Sequence, residues 1–228
     1  MPIPDYLTLD EYAQKVKALE GGHWTPHTIT ARWDYHARVI HLIQALGLDE
    51  GKDILEMGTM GVQCVKNGRS MDYVEKWDFP GKNPDLVHDA RHLPWPVKDK
   101  EYGLFVALRV FQHLTPFQKE CTLEVMRIAK KAIILVPATY DNPQIPDSKG
   151  IAYSDFVEML DGIHPNLYTT TRFGNLYYWD TEHPSYMDIE GVMTPQEQEQ
   201  EPAKAKAPVQ NRSVAHRLVR RVKMILGG

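Results

Sequence analysis

The stretch of the chain best suited to chemistry is residues 54–61, which read ILEMGTMG. An apolar run of strand length ends at Glu56 and Met57 and passes at once into a turn that contains Gly58 and Gly61. Glycine allows a ligand to approach the backbone closely. The carboxyl ends of strands in an open parallel sheet are where ligands bind. A carboxylate here suits a cofactor with a cationic amino group, whereas dinucleotide folds place G-x-G-x-x-G against a pyrophosphate.

Two further acidic residues, Asp72 and Asp89, follow this turn at positions suited to binding a nucleoside. Asp72 comes just after an expected second strand, where it can accept hydrogen bonds from both hydroxyls of a ribose. Asp89 lies in a turn, where it can accept from an adenine amino group. A Leu-Pro-Trp-Pro segment at 93–96 comes next, and a buried strand then leads into residues 109–114, which read RVFQHL. These residues indicate a nucleoside-containing ligand with a cationic tail.

Together, these pieces resemble the class I S-adenosylmethionine-dependent methyltransferases of the methyltransferase-domain superfamily, over roughly residues 30–140. That family has a strand with acid-x-Gly, an acid closing strand two, an Asp before a Leu-Pro-aromatic turn, and a strand leading to a Glu-His-Leu-like helix start. Each piece is common, but all of them in the correct order make a specific combination. The resemblance implies S-adenosyl-L-methionine as cofactor and S-adenosyl-L-homocysteine as product.

The resemblance also implies roles for individual positions. Glu56 and the glycine turn would line the methionine and ribose end of the cofactor. Asp72 would hold the ribose hydroxyls, with Tyr73 beside the adenine, and Asp89 with Ala90 would address the adenine edge. The implied cofactor-binding residues are Glu56, Gly58, Thr59, Met60, Gly61, Asp72, Tyr73, Asp89, Ala90, Leu108 and Arg109.

Some positions depart from the family pattern. Met60 stands where the family usually has Gly, so the turn is expected to be tighter or differently routed. The short spacing from Gly61 to Asp72 leaves little room for the usual first helix. Leu108 and Arg109 would cover the methionine part through backbone contacts, which do not depend on side-chain type.

His113 is the first candidate for a catalytic residue. Methyl transfer from a sulfonium needs mainly positioning in line with the methyl carbon. A hydroxyl acceptor benefits from a base, and His is the usual one near neutral pH. The family places this His at the mouth of the cofactor pocket, with Gln112 here replacing a frequent Glu. A helix-start His bonded to neighbouring backbone is an equally good interpretation, and Tyr140 and Asp141 are weaker candidates.

Composition limits the other classes. The chain has 228 residues, 43% of them hydrophobic, and a formal net charge of −4, which suits one main domain without a basic field for nucleic acid. Two cysteines, an N-terminus without a secretory signal and the lack of a long apolar run favour a cytoplasmic protein. No metal is expected at His88 and His92, because Pro94 and Pro96 disfavour a helix presenting both imidazoles.

Hydrophobic periodicity predicts an α/β fold: a Rossmann-like, doubly wound, mostly parallel sheet with an antiparallel edge hairpin, N-terminal helices and a C-terminal basic helix. The chain is divided into a helical cap at 1–47, a methyltransferase domain at 48–193, a disordered linker at 194–211 and a basic amphipathic helix at 212–228. Predicted helices cover 8–19, 31–46, 115–129 and part of 154–160; predicted strands cover 53–57, 85–88, 102–108, 131–137, 167–171 and 173–179, with a further strand expected just before Asp72.

The expected function is methyl transfer to a small molecule or to a sugar of a glycan precursor, with nucleic acid a weaker acceptor. A catalytically silent methyltransferase-like module is the main alternative, and a nucleotide-sugar or dinucleotide oxidoreductase is disfavoured by the missing glycine motif. The N-terminal segment is expected either to form a lid or to pack on the sheet. Residues 212–226 fit an anionic membrane surface, a protein partner or the protein itself. The oligomeric state is left open.

Overall fold

The computed structural model describes residues 3–18, 26–47, 51–74, 83–140, 147–180 and 182. The predicted linker at 194–211, the predicted basic helix at 212–228 and the candidate Asp141 lie outside these ranges.

A seven-stranded sheet with the order β3-β2-β1-β4-β5-β7-β6 forms the centre of the structure. The first five strands run parallel, and β7 pairs antiparallel with both β5 and β6. This topology confirms the predicted fold class, including the antiparallel hairpin at one edge. The strands are β1 (Ile54–Met57), β2 (Arg69–Asp72), β3 (Leu86–Val87), β4 (Tyr102–Leu108), β5 (Ala129–Val136), β6 (Leu167–Thr171) and β7 (Gly174–Asp180).

In the described part of the chain, four α-helices flank this sheet: α1 (Leu9–Ala18), α2 (Pro26–Leu46), α3 (Gln118–Ile128) and α4 (Tyr153–Met159). A capping box precedes α1, because Thr8 N–H donates to Glu11 Oε2 at 2.9 Å and Glu11 N–H donates to Thr8 Oγ1 at 3.3 Å. α2 begins at Pro26, earlier than the predicted start at Ala31, since proline fits the first turn of a helix. α3 begins later than predicted and passes directly into β5.

The helices cover both faces of the sheet, and each face has its own apolar core. One core joins α1 and α2 to the sheet through Tyr12, Val39, Ile43, Ile54, Val106 and Ile133, all buried. The other joins α3 and α4 to the opposite face through Phe105, Cys121, Val125, Ile134 and Phe156. The N-terminal helices therefore pack on the sheet. Tyr177, Tyr178 and Trp179 are buried and belong to the core at the edge hairpin.

Residues 58–68, between β1 and β2, contain no helix. This confirms that the short spacing leaves little room for the first helix of the family. The N-terminal segment supports this connection instead: Leu7 N–H donates to Cys64 C=O at 2.9 Å, and Lys66 N–H donates to Asp5 C=O at 2.7 Å. A single antiparallel bridge joins Tyr6 to Val65. Among the helices in the described ranges, none has the length and apolar character needed to cross a bilayer.

Candidate functional site

The carboxyl ends of β1 to β4 meet at one edge of the sheet, because these strands are parallel neighbours. The chain moves outward from β1 to β2 and β3, then returns to β4 on the other side of β1. Such a reversal opens a crevice where ligands bind in α/β sheets. Gly58 N–H donates to Met71 C=O at 2.9 Å, so the glycine turn is fixed to β2 directly before Asp72.

The glycine turn has three residues in the left-handed region. Gly58 has a φ of +68°, Met60 of +48° and Gly61 of +85°. A Cβ on Gly58 would lie 2.4 Å from Cγ2 of Val110, which follows β4, so the loops after β1 and β4 are in direct contact. Met60 occupies a conformation that glycine adopts more easily, which gives a physical reason for the family's preference at this position. Thr59 supports the turn by accepting Val62 N–H on its carbonyl at 2.9 Å.

Glu56 is buried, and its carboxylate is bonded to the loop that follows the turn. Cys64 N–H donates to Oε2 at 2.8 Å and Val65 N–H donates to Oε1 at 2.7 Å. Burial raises the pKa of the Cys64 thiol, and the nearby Glu56 carboxylate adds to that effect. Glu56 therefore shapes the loop through two charge-assisted hydrogen bonds. A direct contact between Glu56 and a cofactor stays a prediction.

Asp72 has a buried acceptor without a donor. Its side chain is 7% exposed, and Oδ1 accepts from Tyr73 N–H at 2.9 Å. Oδ2 is buried and has no hydrogen-bond partner among the residues that the structure describes. Leaving a buried acceptor unsatisfied costs about 1–3 kcal/mol, and more for a charged group. A hydroxyl-bearing ligand at this edge would satisfy it.

The predicted adenine-facing residues lie beside β2 and β3. Tyr73 is 66% exposed at the end of β2. Asp89 is held by Arg91 through both carboxylate oxygens, with Nε–Oδ1 at 2.9 Å and Nη2–Oδ2 at 2.6 Å. This hydrogen bonding lowers the pKa of Asp89 to about 2, so the group is ionised at neutral pH. Ala90 is buried, and its carbonyl accepts from Trp95 Nε1–H at 2.8 Å, which fixes the turn.

The end of β4 carries an unusual backbone conformation. Arg109, directly after Leu108, has a φ of +60°, in the left-handed region that non-glycine residues rarely occupy. Its N–H donates to Leu135 C=O at 2.7 Å, and its Nη1 donates to Phe173 C=O at 2.6 Å. Gln112 Nε2 donates to Arg109 C=O at 2.6 Å. The surroundings hold this strained residue firmly, which is typical of functional positions.

His113 lies in a 3-10 turn (Phe111–His113) beyond Arg109, and both ring nitrogens have partners. Nε2 is 3.0 Å from Gln112 Nε2, and Nδ1 is 2.6 Å from Ser148 Oγ. The Gln112 amide nitrogen can only donate, so His113 Nε2 accepts, and the neutral ring carries its proton on Nδ1. Burial lowers the pKa of His113, and the positive charge of Arg109 lowers it further.

The predicted residues therefore group as follows: the glycine turn, Asp72 and Arg109 share the carboxyl edge, and His113 lies within electrostatic range of Arg109. Three contacts were missed from the sequence: Val110 against Gly58, Ser148 against His113 and Phe173 against Arg109. These contacts join loops that are far apart in the chain or depend on how a loop is folded. No local sequence pattern therefore predicts them. His88 Nε2 bonds to His92 C=O at 2.7 Å, and the described ranges contain no cluster of three metal-ligating side chains.

No family model matches the chain, and no curated protein is similar to it in sequence. Solved structures are similar in fold. A chain from the complex between the Haloferax volcanii Trm112 methyltransferase activator and a methyltransferase superposes with a TM-score of 0.50 and 14% identity, over 78% of this chain and 98% of that one. A SAM-dependent methyltransferase from Aquifex aeolicus matches with a TM-score of 0.47 and 15% identity, over 72% of this chain and 96% of that one.

The sequence identity of these matches is too low to assign their activity or substrate to this protein. What this protein shares with them is the fold. The chain therefore has the fold of the class I S-adenosylmethionine-dependent methyltransferases.

Proposed function

We propose that the protein binds S-adenosylmethionine at the carboxyl edge between β1 and β2 and transfers its methyl group to a small molecule or to a sugar of a glycan precursor. The observation that carries the proposal is the buried Oδ2 of Asp72, which has no donor among the described residues. A ribose hydroxyl is a donor of suitable size for such an acceptor. The adjoining glycine turn brings bare backbone to the same place.

The residues present fit this cofactor. Asp72 would accept from the ribose, Tyr73 offers an exposed ring for the adenine, and ionised Asp89 offers acceptors for the adenine amino group. Gly58 and the loop fixed by Glu56 would line the methionine end. When bound, the cofactor supplies an electrophilic methyl group on a sulfonium. The protein's main task is then to hold the acceptor atom in line with that group and to exclude water.

His113 is the candidate base for a hydroxyl acceptor. Its lowered pKa keeps the ring neutral at pH 7, so it is able to take a proton. Its Nε2 lone pair accepts from Gln112, and proton uptake there would displace that hydrogen bond. Both ring nitrogens are engaged in hydrogen bonds, which restrains the ring and hinders its use as a base. The second candidate function is therefore a catalytically silent protein that binds the cofactor without transferring its methyl group. Release of S-adenosylhomocysteine on incubation with candidate acceptors separates the two.

Calorimetric titration with S-adenosylhomocysteine tests the binding proposal. We expect micromolar binding by the wild-type protein, and a loss of roughly tenfold or more in Asp72→Asn, since a hydrogen bond to a charged group contributes about 1.5–3 kcal/mol. Asp99→Asn is the matched control, because Asp99 lies on the loop before β4 and its side chain is 79% exposed. No binding at millimolar ligand would contradict the proposal.

Residues 212–226 are proposed to recruit the protein to an anionic membrane surface or to a protein partner. The basic and apolar residues that alternate there support this proposal. The Haloferax volcanii match comes from a complex with an activator protein, which makes a protein partner worth testing. Sedimentation with anionic vesicles, before and after removal of residues 194–228, tests the membrane arm. Equal partitioning of both forms would exclude it.

A further inference from the structure

Arg109 is a partly buried cation without an acidic partner. Its guanidinium donates from Nη1 to Phe173 C=O, and no carboxylate lies within ion-pair distance of it among the described residues. Other arginines are paired: Arg91 with Asp89 at 2.6 Å, Arg127 with Glu124 at 2.7 Å and Arg172 with Asp34 at 3.9 Å. Partly buried charges normally need a compensating charge. Among the described residues, the hydrogen-bond acceptor of the Arg109 guanidinium is a neutral carbonyl.

A second cation increases the positive potential around Arg109. Arg32 on α2 hydrogen-bonds to the Tyr35 side chain, and its positive charge acts on Arg109. Tyr35 packs edge-on against Phe173, with ring centroids 5.3 Å apart, so α2 covers the turn of the β6–β7 hairpin here. Burial is the main factor that lowers the pKa of Arg109, and Arg32 lowers it further. An anion bound beside Arg109 would offset both the cost of burying its charge and the repulsion from Arg32.

The backbone of Arg109 lies at the same edge as the glycine turn, but its guanidinium contacts the other side of the crevice. Asp72 and the glycine turn lie on the β1–β2 side of the crevice, whereas Arg109 bonds to the ends of β5 and the β6–β7 hairpin. Tyr140, which follows β5, also acts on Arg109 electrostatically, and its ring packs edge-on against His113 with centroids 5.6 Å apart. Arg109 and His113 thus share the half of the crevice that an acceptor would occupy.

We propose that Arg109 binds an anionic group, a carboxylate or a phosphate, on the methyl acceptor, which makes the acceptor an acidic small molecule or a phosphorylated sugar. This inference rests on the proposed methyltransferase function. The planar guanidinium donates two parallel hydrogen bonds to either group, which fixes orientation as well as position. The same chemistry could come from the carboxylate of the cofactor itself, so the experiment has to separate these two sources.

The test uses the full-length protein saturated with S-adenosylhomocysteine and titrated with inorganic phosphate at constant ionic strength, followed by NMR of the His113 ring. Wild type is compared with Arg109→Gln, with the charge-conserving Arg109→Lys and with Arg69→Gln. Arg69 is exposed at the opposite end of β2, so its variant removes the same charge away from the crevice. We expect Arg109→Gln to weaken phosphate binding about tenfold or more, Arg109→Lys to restore part of it, and Arg69→Gln to match wild type.

Two results would overturn the assignment. Phosphate binding that is absent in wild type, or equal in Arg109→Gln, would show that Arg109 is not an anion site. A loss of S-adenosylhomocysteine affinity in Arg109→Gln, with unchanged affinity for 5′-methylthioadenosine, would assign the anion to the cofactor's carboxylate. The phosphate titration is repeated without S-adenosylhomocysteine, so that it does not depend on cofactor binding. A protein that binds phosphate through Arg109 but does not bind S-adenosylhomocysteine would contradict the proposed function and not the anion site.

Discussion

The carboxylate of Glu56 accepts a hydrogen bond from the backbone N–H of Val65, 2.7 Å away, and both residues are buried. Cys64 N–H donates to the other carboxylate oxygen at 2.8 Å. Glu56 therefore fixes the loop at residues 58–68, which replaces the first helix of the family. Glu56 stands at the strand end that the family uses beside its cofactor. The N-terminal segment completes this support from the other side.

Glu56→Gln is expected to destabilise the fold by about 2 kcal/mol, because the amide group presents a donor to one of the two backbone N–H groups and leaves it unsatisfied. Urea unfolding followed by circular dichroism measures this change. Glu120→Gln, at an exposed position at the start of α3, serves as the control and should change little. Equal stability of the Glu56 variant and wild type would show that the loop is held by other contacts.

Gly58→Ala is expected to destabilise the protein more than Gly47→Ala. Both glycines have a left-handed φ, +68° and +63°, but only Gly58 has Val110 in the space of a Cβ. The shared backbone strain costs about 1–2 kcal/mol, and the clash adds about 1–3 kcal/mol at Gly58. Thermal unfolding of both variants gives the difference. Adding Val110→Ala should recover part of the loss at Gly58, and additive effects of the two substitutions would contradict the contact.

His36 is expected to make the fold sensitive to acid. It is fully buried on α2, donates from Nδ1 to Arg32 C=O at 2.8 Å, and burial lowers its pKa from 6.5 to about 4. The unfolded chain therefore binds the proton more readily, so stability is full above pH 6.5 and falls toward pH 4. The expected loss is on the order of 3 kcal/mol, from about 1.4 kcal/mol per pKa unit.

Chemical unfolding at a series of pH values measures this loss. His113 contributes with the same sign, so the effect of His36 is taken as the difference between wild type and His36→Phe. His41→Gln, at an exposed position of the same helix, should retain the wild-type slope. A slope that persists in His36→Phe would assign the acid sensitivity to other groups.

His113 is expected to be neutral at pH 7, with its proton on Nδ1. Two-bond ¹H–¹⁵N correlation spectra distinguish this tautomer, and a pH titration gives its pKa, which should lie below the ordinary value for His. Arg109→Gln should raise that pKa, because it removes a nearby positive charge, whereas Arg69→Gln should not. An Nε2-protonated ring would contradict the hydrogen-bond assignment with Gln112.

The fold was largely predictable because its evidence is local. The apolar runs at β4 and β5 depend on residues close together in the chain, and the structure confirms both strands. The start of α2 was not predicted, since Pro26 was interpreted as part of a loop although proline is favoured in a first helical turn. The strand expected just before Asp72 is present as β2, but it includes Asp72 as its last residue.

The sequence predicts which candidate residues lie at the edge of the sheet. It does not predict which other residues they contact. The strand ends at Glu56, Asp72 and Arg109 meet at one edge, as the parallel order requires. The role of the Glu56 carboxylate in holding the loop depends on how residues 58–68 turn back, and this path carries no periodic signal. The anion site proposed at Arg109 is argued from Phe173 and Arg32, which come from distant elements.

The central claim is that Asp72 holds the ribose of the cofactor, and a thermodynamic cycle tests it most directly. Calorimetry would compare S-adenosylhomocysteine with its 2′-deoxy analogue on wild-type protein and on Asp72→Asn. Loss of the hydroxyl should weaken binding to wild type by about tenfold or more and should have little effect on the variant. An equal loss of affinity on both proteins would contradict the assignment of the cofactor site to this edge of the sheet.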